Sequence, residues 1–205
     1  MTDATGSDEP ADVVMPTRSA VAELVLPSTA FVATVSPATT MARLAVRMTP
    51  AMAESIEARL PIVLSVAVNR VGIRDECAAL RLGPDEWLLL PDAERDPWLA
   101  ARLAQSAEGG AISIVDITHR QVGVVLQGPE VEAVLAAGCP LPLDLLGFPV
   151  GRATRTLLAK TEIVLWRRAH DAFHLEVARS FAPYLVAFLA EAIANEAAIG
   201  RLGRS

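Results

Sequence analysis

An α+β fold, with helices packed on mixed or antiparallel sheets, is predicted by three observations. Short segments alternate apolar and polar residues as half-buried strands do, and they outnumber the helical segments. Four segments carry helix start signals and apolar stripes, and no sequence repeat of fixed period links the elements. A hydrophobic content of 52% over 205 residues, against 20% charged residues, supplies the core such a fold needs.

Residues 1–20 (MTDATGSDEPADVVMPTRSA) are poor in large apolar side chains and contain Pro10 and Pro16, which predicts a flexible arm before a domain over 21–205. Ordered structure is expected from a strand around Phe31–Val35 and a second in ARLAVRM, where Leu44, Val46 and Met48 alternate with Ala or Arg. Thr49 can then cap a helix that Pro50 opens, with Met52, Ile56 and Leu60 recurring every four residues. Residues 77–92 read as two strands around the turn Gly83-Pro84-Asp85. A helix from Pro97 to about Ser106 follows, and Gly109-Gly110 ends that unit, so a boundary between two subdomains is expected near 107–110.

AISIVDI and QVGVVLQG are apolar strands, and Pro129 opens a helix that Gly138 stops. GRATRTLLA, EIVLWRR and AFHLEVA form three successive strands, with turns at Lys160-Thr161 and His170-Asp171. Ser180 can cap the closing helix, whose apolar stripe is Tyr184, Leu185, Phe188, Leu189 and Ile193.

Composition narrows the function. The net charge of -6 and the interspersion of Arg with acids argue against nucleic acid as a partner, which requires clustered cations. Cys77 and Cys139 stand far apart and belong to no CxxC, so neither a disulfide framework nor a structural zinc site is expected. The uncharged run Leu24–Ala42 is interrupted by Pro27 and Pro37, and the N-terminus is acidic where a signal peptide is basic, so the expectation is a cytoplasmic chain without a membrane span.

No catalytic constellation stands out. His170 and His174 have the spacing of helical metal ligands but fall on a turn and a strand, where that spacing does not place both on one helix face. GxSxG, GxGxxG and the phosphate-binding glycine loop are absent. Asp116, in DITHRQVG with His119 and Arg120, ends an apolar strand; a carboxylate there either caps the next turn or belongs to a site. Arg152 and Arg155, three apart, point to opposite faces of a regular strand. Trp87 and Trp166 read as core or interface anchors.

Four segments carry a family resemblance: LGPDEWLLLPD (82–92), DITHRQVGVVLQGPEVEAVLAAGCPLPLD (116–144), FPVGRATRTLLAKTEIVLWR (148–167) and FHLEVARSFAPYLVAFLAEA (173–192). Together they span most of residues 80–192, and in that order they resemble the gamma subunits of bacterial heterotetrameric sarcosine oxidases. The resemblance implies a folate-binding-domain-like fold of the aminomethyltransferase and TrmE type. It also implies a complex with alpha, beta and delta subunits that demethylates sarcosine to glycine, passes the one-carbon unit to tetrahydrofolate and forms hydrogen peroxide.

FAD, FMN and NAD are then expected on the alpha and beta chains and zinc on delta, with no cofactor on this chain. This agrees with the lack of a dinucleotide fingerprint. DITHR is similar to the D-x-S-H stretch of aminomethyltransferases with Thr118 for serine, and Glu162 lies where those proteins carry an acidic pair. Asp116, Arg155 and Glu162 are thus candidates for a vestigial folate site, and Arg152, Trp166 and Arg167 for a subunit interface. Related readings are the equivalent subunit of an N-methylglutamate dehydrogenase and an autonomous folate-binding one-carbon protein.

Overall fold

In the computed structural model the described residues are 28–29, 31–38, 41–75, 77–92, 96 and 98–202. The predicted arm, residues 1–20, and Pro97 lie outside them. The strands are β1 (Ser28–Thr29), β2 (Ala33–Pro37), β3 (Leu44–Met48), β4 (Arg70–Arg74), β5 (Cys77–Arg81), β6 (Glu86–Leu90), β7 (Ile112–Asp116), β8 (Gln121–Gln127), β9 (Ala153–Leu158), β10 (Thr161–Ala169) and β11 (Ala172–Ala178). The helices are α1 (Pro50–Glu57), α2 (Leu99–Ser106), α3 (Val131–Ala136) and α4 (Ala182–Leu202).

Local chemistry explains most of these elements. Thr49 caps α1 by accepting from Met52 N at 3.2 Å, and Pro50 occupies the first turn as expected. The turn at 83–85 joins β5 to β6, and Gly138 follows the last turn of α3. Ser180 is a correction: it lies inside a 3-10 turn, Arg179–Phe181, and α4 begins at Ala182. Leu185, Leu189 and Ile193 of the predicted stripe are buried, whereas Tyr184 is 39% exposed. Helix α4 is long and apolar enough to cross a membrane by length and composition, yet its stripe packs into the core.

The strands form two antiparallel sheets, with orders β1-β2-β8-β11-β10-β9 and β4-β5-β6-β3-β7. Because side chains alternate along a strand, each sheet feeds two cores. In β10, Ile163 and Leu165 join α3 and α4 in one cluster. Val164 and Trp166, on the opposite face, meet Leu80, Leu88 and Leu90 of the five-stranded sheet. That sheet turns Val46, Trp87 and Leu89 outward to Ile56 of α1 and Leu103 of α2. The result is four layers, helices outside and two sheets within.

A repeat that the sequence does not display is visible in the topology. Elements β3-α1-β4-β5-β6-α2 and β8-α3-β9-β10-β11-α4 follow one another, and their strands lie in the equivalent orders β4-β5-β6-β3 and β9-β10-β11-β8. Each unit is completed by the strand that leads into the other: β7 pairs with β3, and β2 pairs with β8. Residues 107–110 connect α2 to β7, which stays with the five-stranded sheet, and the chain crosses to the other sheet after Ile117. The exchange ties the two halves together, and Val71 N to Gly151 O (3.0 Å) and Ala153 N to Asn69 O (3.1 Å) join the sheets at a corner.

Candidate functional site

Arg43, His174 and Glu176, three of the buried ionisable residues, meet at the inner face of the six-stranded sheet. On β11, Phe173, Leu175 and Val177 face the helices, which leaves His174 and Glu176 facing the other sheet. Glu176 is 1% exposed and lies between two donors: Arg43 Nε is 2.5 Å from Oε2, and His174 Nε2 is 2.7 Å from Oε1. Burial pushes the Glu176 carboxyl up, but His174 and Arg43 outweigh it and hold the group below the ordinary carboxylate range. Trp166 packs against the imidazole, with ring centroids 5.7 Å apart.

Gly123 makes room for this cluster. It stands opposite Glu176 in the ladder, and a Cβ there would sit 2.5 Å from Glu176 Oε1 and 2.8 Å from Arg43 Nη2. Arg43 is itself oriented by Met41 O, which accepts from Nη1 at 2.9 Å, and by Thr118 Oγ1, which accepts from Arg43 N at 2.9 Å.

A second pair spans the sheets. Arg155 donates from Nη1 to Glu86 Oε2 at 2.9 Å and from Nη2 to Oε1. The Arg155 hydrogen bond draws the Glu86 carboxyl below its usual range against the opposing effect of burial. Arg47 adds a longer contact, Nη2 to Glu86 Oε2 at 3.5 Å.

Beside these pairs lies a cleft of about 460 Å³ lined by Arg120, Gln121, Arg155, Lys160, Glu162 and Glu176 among others. Arg120, Lys160 and Glu162 line it beside Arg155, whose guanidinium is already held by Glu86. The structure therefore brings Arg155 and Glu162 together. It does not bring Asp116 to them: Asp116 is absent from the lining, and its Oδ1 accepts from Thr118 N at 2.8 Å as a turn cap.

The three residues expected at an interface prove largely internal. Trp166 is 4% exposed, in the core between the sheets, and Arg167 is 0% exposed on the helix side of β10. Arg167 donates to the carbonyls of Leu143 (2.7 Å), Phe148 (3.1 Å) and His170, and pairs with Glu132. Arg152 is half-buried over the Phe148 ring and donates to Gly147 O at 2.6 Å. Apolar burial and carbonyl demand drew Trp166 and Arg167 inward, because β10 is covered on both faces. His170 and His174 are also separated in role, the first at a turn and the second against Glu176.

Arg43, Glu86 and Glu176 are not singled out by motif or spacing, and the spacing of His174 from His170 points to a metal pair rather than to its partner Glu176. One signal does point to half of them: in AFHLEVA the apolar residues claim one face, so the His and Glu between them must share the other.

Comparison with known proteins agrees with this architecture. The model of the family described as "Sarcosine oxidase, gamma subunit family" matches residues 45–195. A sarcosine oxidase subunit gamma from Corynebacterium sp. (strain P-1) is 30% identical over 145 residues, covering 71% of this chain and 69% of that protein. The subunit of the same name from Corynebacterium sp. (strain U-96) is 31% identical over 142 residues, 69% of this chain and 68% of the relative. Among solved structures, a chain of the heterotetrameric sarcosine oxidase of Corynebacterium sp. U-96, in complex with pyrrole 2-carboxylate, superimposes with a TM-score of 0.79. It is 26% identical and the match covers 87% of this chain and 95% of that one.

The glycine cleavage system aminomethyltransferase T of Bartonella henselae shares the fold, with a TM-score of 0.58 at 19% identity over 76% of this chain and 44% of that one. The expected likeness in fold to the aminomethyltransferases is thereby borne out. With the family model spanning both repeats and the exchanged strand β7, the chain belongs to the sarcosine oxidase gamma subunit family.

Proposed function

We propose that this chain is the non-catalytic gamma-type subunit of a heterotetrameric sarcosine oxidase, assembled with alpha, beta and delta chains in the cytoplasm. On this reading FAD, FMN, NAD and zinc reside on those partners, which oxidise sarcosine to glycine and hand the one-carbon unit to tetrahydrofolate. The observation that carries the non-catalytic role is the commitment of Arg155, Asp116 and Glu176 to structure. Arg155 is held by Glu86, Asp116 caps its own turn, and Glu176 is enclosed by Arg43 and His174. A group locked in such a pair is poorly suited to exchange protons with substrate, since each transfer would break a buried or bidentate contact.

The test uses the complex reconstituted from the four chains. Glu162→Gln and Asp116→Asn in this chain are expected to leave sarcosine turnover within about twofold of wild type. Turnover lost from a fully assembled complex would show a catalytic role and sink the proposal. The cleft that joins Arg155 and Glu162 favours one second reading, a retained folate site. Saturable tetrahydrofolate binding by the chain alone, abolished in Glu162→Gln, would establish it. Comparing sarcosine with N-methylglutamate as substrate of the complex identifies the parent oxidase or dehydrogenase.

A further inference from the structure

The strand β7 is an open edge. It is the outermost strand of the five-stranded sheet, whose other edge, β4, is joined to β9 through Val71 N–Gly151 O and Ala153 N–Asn69 O. Along β3, Met48 N donates toward the β6 side, to Asp85 O at 3.1 Å, and Arg43 O accepts from Ile117 N at 2.8 Å on the β7 side. Bonded pairs alternate along an antiparallel ladder, so Ser113 and Val115 bond to β3. The backbone N–H and C=O groups of Ile112, Ile114 and Asp116 therefore point out of the sheet.

Natural proteins blunt such edges with Pro, Lys, inward charge or very short strands. The five residues of β7, ISIVD, use none of these along their apolar part, and Val115 is 51% exposed. The internal repeat supplies an independent observation. The strand equivalent to β7 in the other sheet is β2, and its outer edge is covered by β1 through the pairs Ser28↔Thr34 and Thr29↔Ala33. Among the described residues no strand holds the matching place beyond β7.

We infer that β7 receives an extended segment of a partner subunit, which adds a sixth strand to the five-stranded sheet by backbone hydrogen bonding. The inference rests on the subunit reading above for its partner. An incoming strand would satisfy the outward groups of Ile112, Ile114 and Asp116. Its apolar side chains would alternate, one set continuing the surface of Ile112 and Ile114 beside α2, the other covering Val115. Main-chain pairing provides affinity here, and the alternating pockets provide selectivity.

Amide hydrogen exchange, read by mass spectrometry on peptides spanning 111–117, tests this in the isolated chain and in the complex reconstituted with alpha, beta and delta chains. The expected result is exchange slowed about tenfold or more in the complex. Ile114→Pro removes an outward N–H without touching the β3 ladder, so it is expected to weaken assembly about tenfold while circular dichroism shows a folded chain. A complete, active complex with unchanged exchange at 111–117 overturns the inference and leaves the subunit role standing. Protection that appears in the chain alone and grows with its concentration assigns the edge to a second copy, which also overturns it. Failure of any complex to form removes the subunit role and this inference together.

Discussion

Arg155 of β9 grips Glu86 of β6 across the two sheets, Nη1 lying 2.9 Å from Oε2 with a second bond from Nη2 to Oε1. The geometry is bidentate, the Glu86 side chain is 18% exposed and that of Arg155 43%. A double-mutant cycle of Arg155→Met and Glu86→Gln by urea denaturation is expected to give a coupling of about 1 kcal/mol, the upper end for partly exposed pairs. Because Glu86 is drawn below its ordinary value of 4.5, the contribution is complete above that pH and is lost as pH falls through the depressed value. A coupling that never weakens on acidification below the ordinary carboxylate range would contradict this assignment.

The Glu176 cluster is buried and should respond more strongly. Arg43→Met leaves the Glu176 carboxylate enclosed without its guanidinium, with an expected loss of about 3–5 kcal/mol in unfolding free energy. Gly123→Ala is expected to destabilise by a comparable route, pushing Glu176 and Arg43 apart. Glu176 is depressed in the fold, so its stabilisation is also present above the unfolded carboxylate value and fades on acidification. Chemical denaturation of both variants at neutral pH measures the effect, and a change below about 0.5 kcal/mol in either would be incompatible with the network.

Arg167 organises the segment 143–148 through two carbonyls on that segment, with Asp144 Oδ1 receiving Leu146 N and Gly147 N at 2.8 Å each. Arg167→Lys keeps the charge but cannot span Leu143, Phe148, His170 and Glu132 together. The expectation is a loss of about 2–3 kcal/mol and new proteolytic cleavage near Leu145–Leu146, read by limited digestion beside a thermal melt. Unaltered digestion would show that the segment is held by its own packing.

Cys77 is buried, and burial followed by the nearby Asp96 pushes its thiol up to about 11. Maleimide labelling at pH 8 is therefore expected to be negligible in the folded chain and complete in denaturant. The same shift makes the fold less stable as pH rises from 9.0 towards about 11, because only the unfolded thiol ionises readily there. Fast labelling of the native protein would refute the buried placement.

Much of the architecture was legible in the residues. The Thr49-Pro50 start of α1, the Gly83-Pro84-Asp85 turn and the three closing strands follow from capping, turn chemistry and alternation. Strand β4 was not, since RVGIR offers only Val71 and Ile73 as alternating apolar residues around a Gly, too short a pattern to stand out, and Ile73 is 59% exposed. The run PIVLSV has the apolar content of a strand but forms none. Glu57 Oε2 accepts from Leu64 N and Ser65 N, and Trp87 Nε1 donates to Leu64 O, which replaces a ladder.

The sequence by itself determined the order of the helices and of most strands and, through four long segments, the family. Capping, turn formation and side-chain alternation act over a few residues, so they can be read in a line of text. Only the tertiary structure decided that β2 and β7 exchange sheets, that Arg167 and Trp166 turn inward, and that β7 remains an open edge. It also chose the ionic partners, Arg155 with Glu86 across 69 residues and Arg43 with Glu176 across 133. Such pairings depend on which layers meet and how much water they exclude, quantities that exist only once distant segments have packed.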